Sequence, residues 1–575
     1  MINSKHKFNR ETTQILLCLI FIVFVHGILA WFVNLPEDVG VDVPSGRLMS
    51  LSFAPFRDGF SPITHKFPLP EHIDEDLGLL ADKTFGIRTY STLGGMESTP
   101  DFARKYGVDM ILGGWLGDGK EGNALELEAL IKSANAHPDV VKRVIVGNEV
   151  LLRNDLDVDS LIGHIRDVKQ AINQPVSYAD VWSIYLRYPQ LFNEVDFISI
   201  HILPYWEDEP IGIDRAAEHI ERIFKQVEDK MLSMGLSKPI LIGESGWPGI
   251  GRQRGYARPS IVNQTKFIRS MVQVANQHGF DYNLVEAFNQ PWKSHHEGVV
   301  GANWGFMSID RKPILSLTGP VSENPNWLVH FAWATILWLV IVAAYFKKLR
   351  CFSLPRILLF LILGQAFSVC LVTMANFLWL TSYSASQRAY ALFMVSVNAA
   401  LGGLLTQRFH DILIGKPDDR RLAKLLRVVY LIFIPIALYK THGLAFDGRT
   451  LSFPNDQFAI PVLGVCCLAV CMRIRIRRLE WQILAFDKMT GGNLHMPIDK
   501  LLACALSIEA VALVFGETKN FMNGYDFIQA HPDFMEGLPF ALGYTFQNQQ
   551  LTTWLLCILI LSIPFWFQVP RRRRV

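Results

Sequence analysis

Apolar positions follow two different rhythms along this chain. Between about residues 34 and 327, short β-rich runs alternate with polar, helix-compatible stretches. The runs fall at Leu48–Ala54, Gly86–Ser91, Asp109–Gly114, Val144–Gly147, Val176–Val181, Asp196–His201, Pro239–Gly243 and Tyr282–Phe288. Continuous apolar cores such as Ile240-Leu241-Ile242 suit strands buried on both faces of a parallel sheet. Helical connectors are predicted at Asn123–Ala136, Val158–Ile172, Ile213–Met234 and Ser260–His278. Eight such units in roughly 300 residues predict an α/β fold, the (β/α)8 TIM barrel. A doubly wound open sheet is the competing arrangement, but no glycine-rich phosphate turn follows the first run.

Elsewhere the runs lengthen to membrane scale. They lie near Ile15–Val33, Leu328–Phe346, Ile357–Leu380, Ala389–Leu405, Val428–Tyr439, Phe458–Met472, Leu501–Phe515 and Leu551–Phe567. Several fall short of the ~20 residues a span needs, so their limits are soft. The first follows a basic start (Lys5, Lys7, Arg10), and no small-residue cleavage site clearly follows it. An uncleaved signal-anchor is the expectation, with a removed signal peptide as the alternative. The predicted domains are residues 1–33, a cytoplasmic start and anchor; 34–327, the barrel; and 328–575, a membrane domain of about seven helices.

The net charge of the 575 residues is only +2, but its sign is segregated. With the N-terminus inside, eight crossings place Lys347-Lys348-Leu349-Arg350, the Arg408–Arg427 cluster, Arg473–Arg478 and Arg571–Arg574 in the cytoplasm. The other side receives Arg388, Lys440, Arg449 and Lys519, so every short loop obeys the positive-inside bias. That puts both termini in the cytoplasm and the barrel outside, which in a bacterial inner membrane is the periplasm. Beside a span, the tetra-arginine tail is topogenic, so no nucleic-acid partner is implied. Glu509 interrupts one span; an intramembrane carboxyl reads as functional, or as a paired or helix-end residue. All eight cysteines lie outside the barrel segment, which excludes thiol chemistry and disulfides there. No zinc-type spacing or phosphate loop occurs, so no metal or other cofactor is expected.

The predicted strand ends, where barrel active sites are built, are polar and aromatic. They offer Arg88 and Tyr90, Trp115, Asn148 and Glu149, Asp180 and Trp182, His201 and Tyr205, Glu244 and Trp247, then Glu286, Trp292 and Lys293. Rings beside carboxylates and amides suit a sugar site, because apolar sugar faces stack while hydroxyls take directed bonds. Two of these runs end in a glutamate, Gly147-Asn148-Glu149 and Gly243-Glu244-Ser245-Gly246-Trp247-Pro248. Such a pair is what acid-assisted glycosidic cleavage requires. The letters alone are not enough: Asn193-Glu194-Val195 repeats Asn148-Glu149-Val150, yet precedes its strand, where a surface role is expected.

The Glu244–Pro248 block, with Gly147-Asn148-Glu149 upstream and Arg88-Thr89-Tyr90, resembles glycoside hydrolase family seventeen, the β-1,3-glucanase family, over residues 46–315. The layout of spans behind the barrel is similar to bacterial membrane-bound members associated with β-1,3-glucan transglycosylation and with cyclic β-1,3/β-1,6-glucan synthesis in rhizobia. The resemblance implies Glu149 as general acid/base and Glu244 as nucleophile, with retention of configuration. It also implies Asn148 on the donor 2-hydroxyl, Tyr205 holding Glu244, and Trp247 and Trp292 as subsite platforms. Glu286 is left between substrate ligand and buried partner of Arg88 or Lys293, and His201 between a site residue and a satisfied barrel histidine. The stretch from Glu286 to Lys293 departs from the plant pattern. The expected partners are a β-glucan, the lipid bilayer, and a glucan synthase or export machinery. The expected activity is transglycosylation, against hydrolysis or a non-catalytic glucan-binding role.

Overall fold

In the computed structural model, residues 2–476, 481–492 and 498–567 are described. Arg477, Arg478 and the arginines at 571–574 lie outside the described residues. The chain divides into two units. One comprises Pro36–Glu323 together with Phe521–Gln547, and the other holds Met1–Leu35, Asn324–Asn520 and Asn548–Val575.

The first unit is built on eight parallel strands closed in sequence order: β1 (Leu48–Ser52), β2 (Thr84–Arg88), β3 (Asp109–Gly114), β4 (Val141–Asn148), β5 (Val176–Val181), β6 (Ile198–His201), β7 (Ile240–Ser245) and β8 (Asp281–Leu284). This is the predicted TIM barrel. Each strand's apolar residues face either the barrel axis or the surrounding helices, and both environments exclude water, so the sequence shows unbroken apolar runs. The helices begin where side chains cap them: Asp157 accepts the Ser160 N–H and Ser260 the Asn263 N–H. Helix Ile261–His278 ends at Gly279, whose φ of +69° suits a residue without a Cβ.

Strand register slips near the C-terminal ends, between Ile145 and Asn148, Ile200 and His201, and Ile242 and Ser245. Such bulges re-aim side chains, and here they re-aim those of β4, β6 and β7. The opposite end is plugged by apolar packing of Ile145, Ala179, Phe197 and Leu241, with an Arg143–Asp281 ion pair. Glu194, in the duplicate tripeptide, makes a two-pronged bridge to Arg166 (2.7 and 2.8 Å) on helix Val158–Ala171.

Among the described residues, seven helices are long and apolar enough to cross a membrane: Arg10–Val33, Trp327–Leu349, Leu354–Leu380, Ala385–Ile414, Arg420–Phe446, Asn455–Arg475 and Gln549–Trp566. The predicted run Leu501–Phe515 lies in a 25-residue helix, Ile498–Met522, outside that set. There Glu509 faces His442 at 3.3 Å, which answers to a paired carboxyl.

Candidate active site

Arg88, at the end of β2, organises the barrel mouth. Almost fully buried, it donates from Nη1 to the Gly243 carbonyl (2.7 Å) and Glu244 Oε1 (3.3 Å), and from Nη2 to Asn148 Oδ1 (2.5 Å). One guanidinium thus ties the end of β4 to the end of β7. A planar fork of donors can span both, which a lysine could not. With Oδ1 committed to Arg88, Asn148 keeps its amide N–H groups for a ligand.

Glu149 follows β4 on a backbone that turns sharply. Gly147 has φ +82°, and a Cβ there would lie 2.8 Å from Val150 Cγ2. Glu149 itself has φ +53°, a costly conformation for a side-chain-bearing residue that is over-represented at functional sites. Its N–H is held by the Ala179 carbonyl at 2.8 Å. The turn aims the carboxyl across the mouth, where Oε1 meets His201 Nδ1 at 2.9 Å. His201 Nε2 lies 3.4 Å from Arg88 Nη1 and 3.6 Å from Glu244 Oε1. Because the arginine can only donate, Nε2 is the accepting nitrogen and Nδ1 carries the proton toward Glu149. One oxygen each of Glu149 and Glu244 and a His201 nitrogen lie within 4.8 Å of one another. These three residues could together hold a metal ion, but each donor already faces a protein partner.

Titration behaviour follows from these neighbours. Burial opposes ionisation of Glu149, but the His201 hydrogen bond and nearby positive charges prevail and hold its carboxyl below the usual range. Burial, with the charge of Glu149 adding, pushes Asp180 up to about 6 against the Tyr178 hydroxyl bound to it. Burial also drives Glu286 up to about 7 despite Lys293 Nζ at 2.8 Å. The other oxygen of Glu286 is buried without a partner. Glu297 is raised too, first by burial and then by the charges of Glu149 and Glu244, with Lys293 opposing.

A carboxylate pair at the ends of β4 and β7 fits glycosidic bond cleavage, and similarity to known glycoside hydrolases agrees. Residues 51–305 match the family model of the BtgE/BtgC glycoside hydrolase domain. Over these residues the barrel is similar to family-seventeen-like glycoside hydrolases. A glucan 1,3-beta-glucosidase of Arthroderma benhamiae is 27% identical over 269 residues, covering 44% of this chain and 86% of that protein. One from Schizosaccharomyces pombe is 28% identical over 243 residues, covering 39% and 74%. Among solved structures, the family 17 beta-1,3-glucanosyltransferase of Rhizomucor miehei is 25% identical, covering 48% of this chain and 99% of that one, with a TM-score of 0.41.

Within this glycoside hydrolase site several residues sit elsewhere than expected. Trp247 has no exposed surface; its indole donates to the Arg258 carbonyl (3.0 Å) and packs on Phe267, so it cannot stack a sugar. Tyr205 donates its hydroxyl hydrogen to the Arg252 carbonyl (2.6 Å). Arg88 holds the Glu244 carboxylate. Tyr90 reaches Ser52 Oγ at 2.7 Å beneath Arg88, its hydroxyl pushed well up by burial and then by the charge of Glu244. Trp292 remains half-buried, edge-on to Phe56, with its indole N–H on Gln290. Trp115 is 44% exposed and lies under the Arg153 guanidinium, a better platform than Trp247. Arg153, which also donates to the Asn148 carbonyl, and Glu297 drew no attention in the sequence. Neither belongs to a motif; one reaches back from a loop and the other from the short helix Ser294–Gly301.

Proposed function

We propose that this protein is a membrane-anchored, retaining β-1,3-glucan transglycosylase that remodels glucan on the non-cytoplasmic face of a bacterial inner membrane. The observation that carries the mechanism is the sub-4.8 Å approach of Glu149 and Glu244 oxygens. Retaining enzymes place their carboxyls ~5–5.5 Å apart, whereas inversion needs ~6.5–9.5 Å to admit water.

Glu244, its charge held by Arg88, attacks the anomeric carbon as the glycosidic C–O bond breaks and Glu149 protonates the departing oxygen. An acceptor hydroxyl then attacks the glucosyl ester, Glu149 takes its proton, and the Glu244 carboxylate leaves. With its oxygen on Arg88, Asn148 offers its amide N–H to the donor 2-hydroxyl in this reading. The names of the relatives support β-1,3-glucan as substrate. Transfer is favoured over hydrolysis by architecture: a barrel fixed to a membrane suits reshaping glucan as it emerges, beside a synthase or export machinery.

The orientation rests on charge and connectivity. Phe521–Gln547 follows helix Ile498–Met522 and leads into Gln549–Trp566. The positive-inside bias of the short loops supports reading helix Ile498–Met522 as an eighth crossing beside Gln549–Trp566.

Reducing-end-labelled laminari-oligosaccharides given to the detergent-solubilised protein test the activity. Products longer than the donor are expected; exclusively shorter ones would leave a membrane-anchored hydrolase.

A further inference from the structure

The strip between the last two apolar helices folds with the barrel. It forms two helices, Tyr525–Ala530 and Phe534–Gln547, around a small core of Phe521, Phe527 and Ala541. Its polar contacts converge on the helix Trp182–Arg187 that follows β5 and on the loops that follow β6 and β7. After β5, Arg187 lies over the Tyr525 ring at 3.8 Å. After β6, Asp208 accepts the Asp526 N–H (2.9 Å) and Glu209 accepts the Tyr544 hydroxyl (2.5 Å). After β7, Gln253 donates to the Gln547 carbonyl (3.0 Å), and Tyr256 meets Tyr544 edge-on. Gly524 approaches so closely that a Cβ would lie 2.5 Å from the Asp208 carboxyl carbon.

Those loops are also cross-tied to each other. Arg254 donates to the Tyr205 carbonyl (2.8 Å), Tyr205 donates to the Arg252 carbonyl, and Ile202 N–H donates to the Glu244 carbonyl (2.9 Å). One loop leaves directly from His201 and the other from Ser245, the residue after Glu244. We propose that Phe521–Gln547 is a positioning strap: by clamping the loops after β6 and β7 it holds His201 and Glu244 in register and biases the glucosyl-enzyme toward a sugar acceptor over water. The inference rests on the transglycosylase reading for its acceptor half, but its positioning half stands without substrate.

The test uses the full-length protein in detergent. Asp208→Ala removes the acceptor for the Asp526 N–H, Asp208→Asn restores an oxygen there, and Tyr544→Phe removes one hydroxyl. Hydrogen exchange at the ends of β6 and β7 is read without substrate. It should rise in Asp208→Ala and Tyr544→Phe and return in Asp208→Asn, while the global unfolding transition stays in place. With labelled laminari-oligosaccharides, kcat should fall roughly tenfold or more in Asp208→Ala, as small misplacements of reacting groups cost that much. KM should change far less, and products should shift toward hydrolysis. Unchanged exchange at β6 and β7 in both disrupting variants would overturn the strap, whatever the parent does to glucan. A parent that fails on glucan but shows the exchange response sinks the substrate reading alone. If Asp208→Ala does not fold, Tyr544→Phe, which loses a single oxygen, decides.

Discussion

His201, at the end of β6, hands its Nδ1 proton to Glu149, just beyond β4, across 2.9 Å. That bond favours the ionised form of Glu149, which must be protonated to act as an acid and ionised to act as a base. Substituting His201→Phe removes the bond, so the pKa of Glu149 should rise. The alkaline limb of the kcat/KM profile, set by loss of the acid's proton, should then move to higher pH. The rate at the optimum should fall about 10–100-fold, the worth of a hydrogen bond to a charged group. A profile that drops without moving would show His201 to be only a packing residue.

Glu149 and Glu244 should separate kinetically. Glu149→Gln lacks the proton for a poor leaving group, so turnover of laminari-oligosaccharides should fall by roughly 10²–10⁴. An aryl β-glucoside with an acidic leaving group needs no such proton and should still form the glucosyl-enzyme, visible as a burst of the phenol. Glu244→Ala should abolish the burst altogether. Full activity in Glu244→Ala would falsify the assignment of both roles.

The barrel and its two glutamates were legible in the sequence because each rests on local chemistry. Parallel strands buried on both faces must be apolar throughout, and a glutamate closing such a run has few structural reasons to be there. The aromatic roles were not legible, because burial of a ring depends on partners far away in the chain. Trp247 follows the nucleophile directly and still turns inward onto Phe267, whereas Trp115 stays exposed under Arg153. The bond from Tyr205 to a carbonyl of the next loop was hidden for the same reason. The strap was invisible because nothing in a polar interval between two spans says which surface it will meet.

Aromatic substitutions therefore should divide cleanly. Trp115→Ala and Trp292→Ala should raise KM for longer laminari-oligosaccharides while leaving thermal stability nearly unchanged, since each loses a stacking face. Trp247→Ala should instead destabilise the barrel by about 3–5 kcal/mol, the usual cost of emptying a buried tryptophan site. Thermal unfolding read beside KM against chain length distinguishes the two groups. A KM effect without a stability loss at Trp247 would restore it as a platform.

Glu286 should make the barrel's stability depend on pH. Its folded pKa of about 7 lies above the ordinary value of 4.5, so between those limits the folded state holds a proton that the unfolded state has released. Its stabilising share is fully present below pH 4.5 and is lost as pH rises through 7, about 3 kcal/mol in all. Glu286→Gln cannot ionise and should flatten that slope, measured by denaturant unfolding between pH 5 and 8. Lys293→Met should be worst at pH 8, where it strands a buried carboxylate, and mildest at pH 5. An equal slope in Glu286→Gln and the parent would assign the pH dependence to other groups, Glu297 and Asp180 first.

The membrane orientation can be tested with one native cysteine and one introduced. Cys351 is exposed and sits beside Lys347, Lys348 and Arg350, in the turn between Trp327–Leu349 and Leu354–Leu380. Met535, on the strap, is 70% exposed. If the positive-inside bias holds, a membrane-impermeant maleimide added to intact spheroplasts should label Met535→Cys and spare Cys351, with both reacting once the membrane is opened. The barrel should be cut from the same spheroplasts by added protease. Labelling of Cys351 before opening would invert the topology and place Glu149 and Glu244 in the cytoplasm, where a transglycosylase would meet its glucan before export rather than after it.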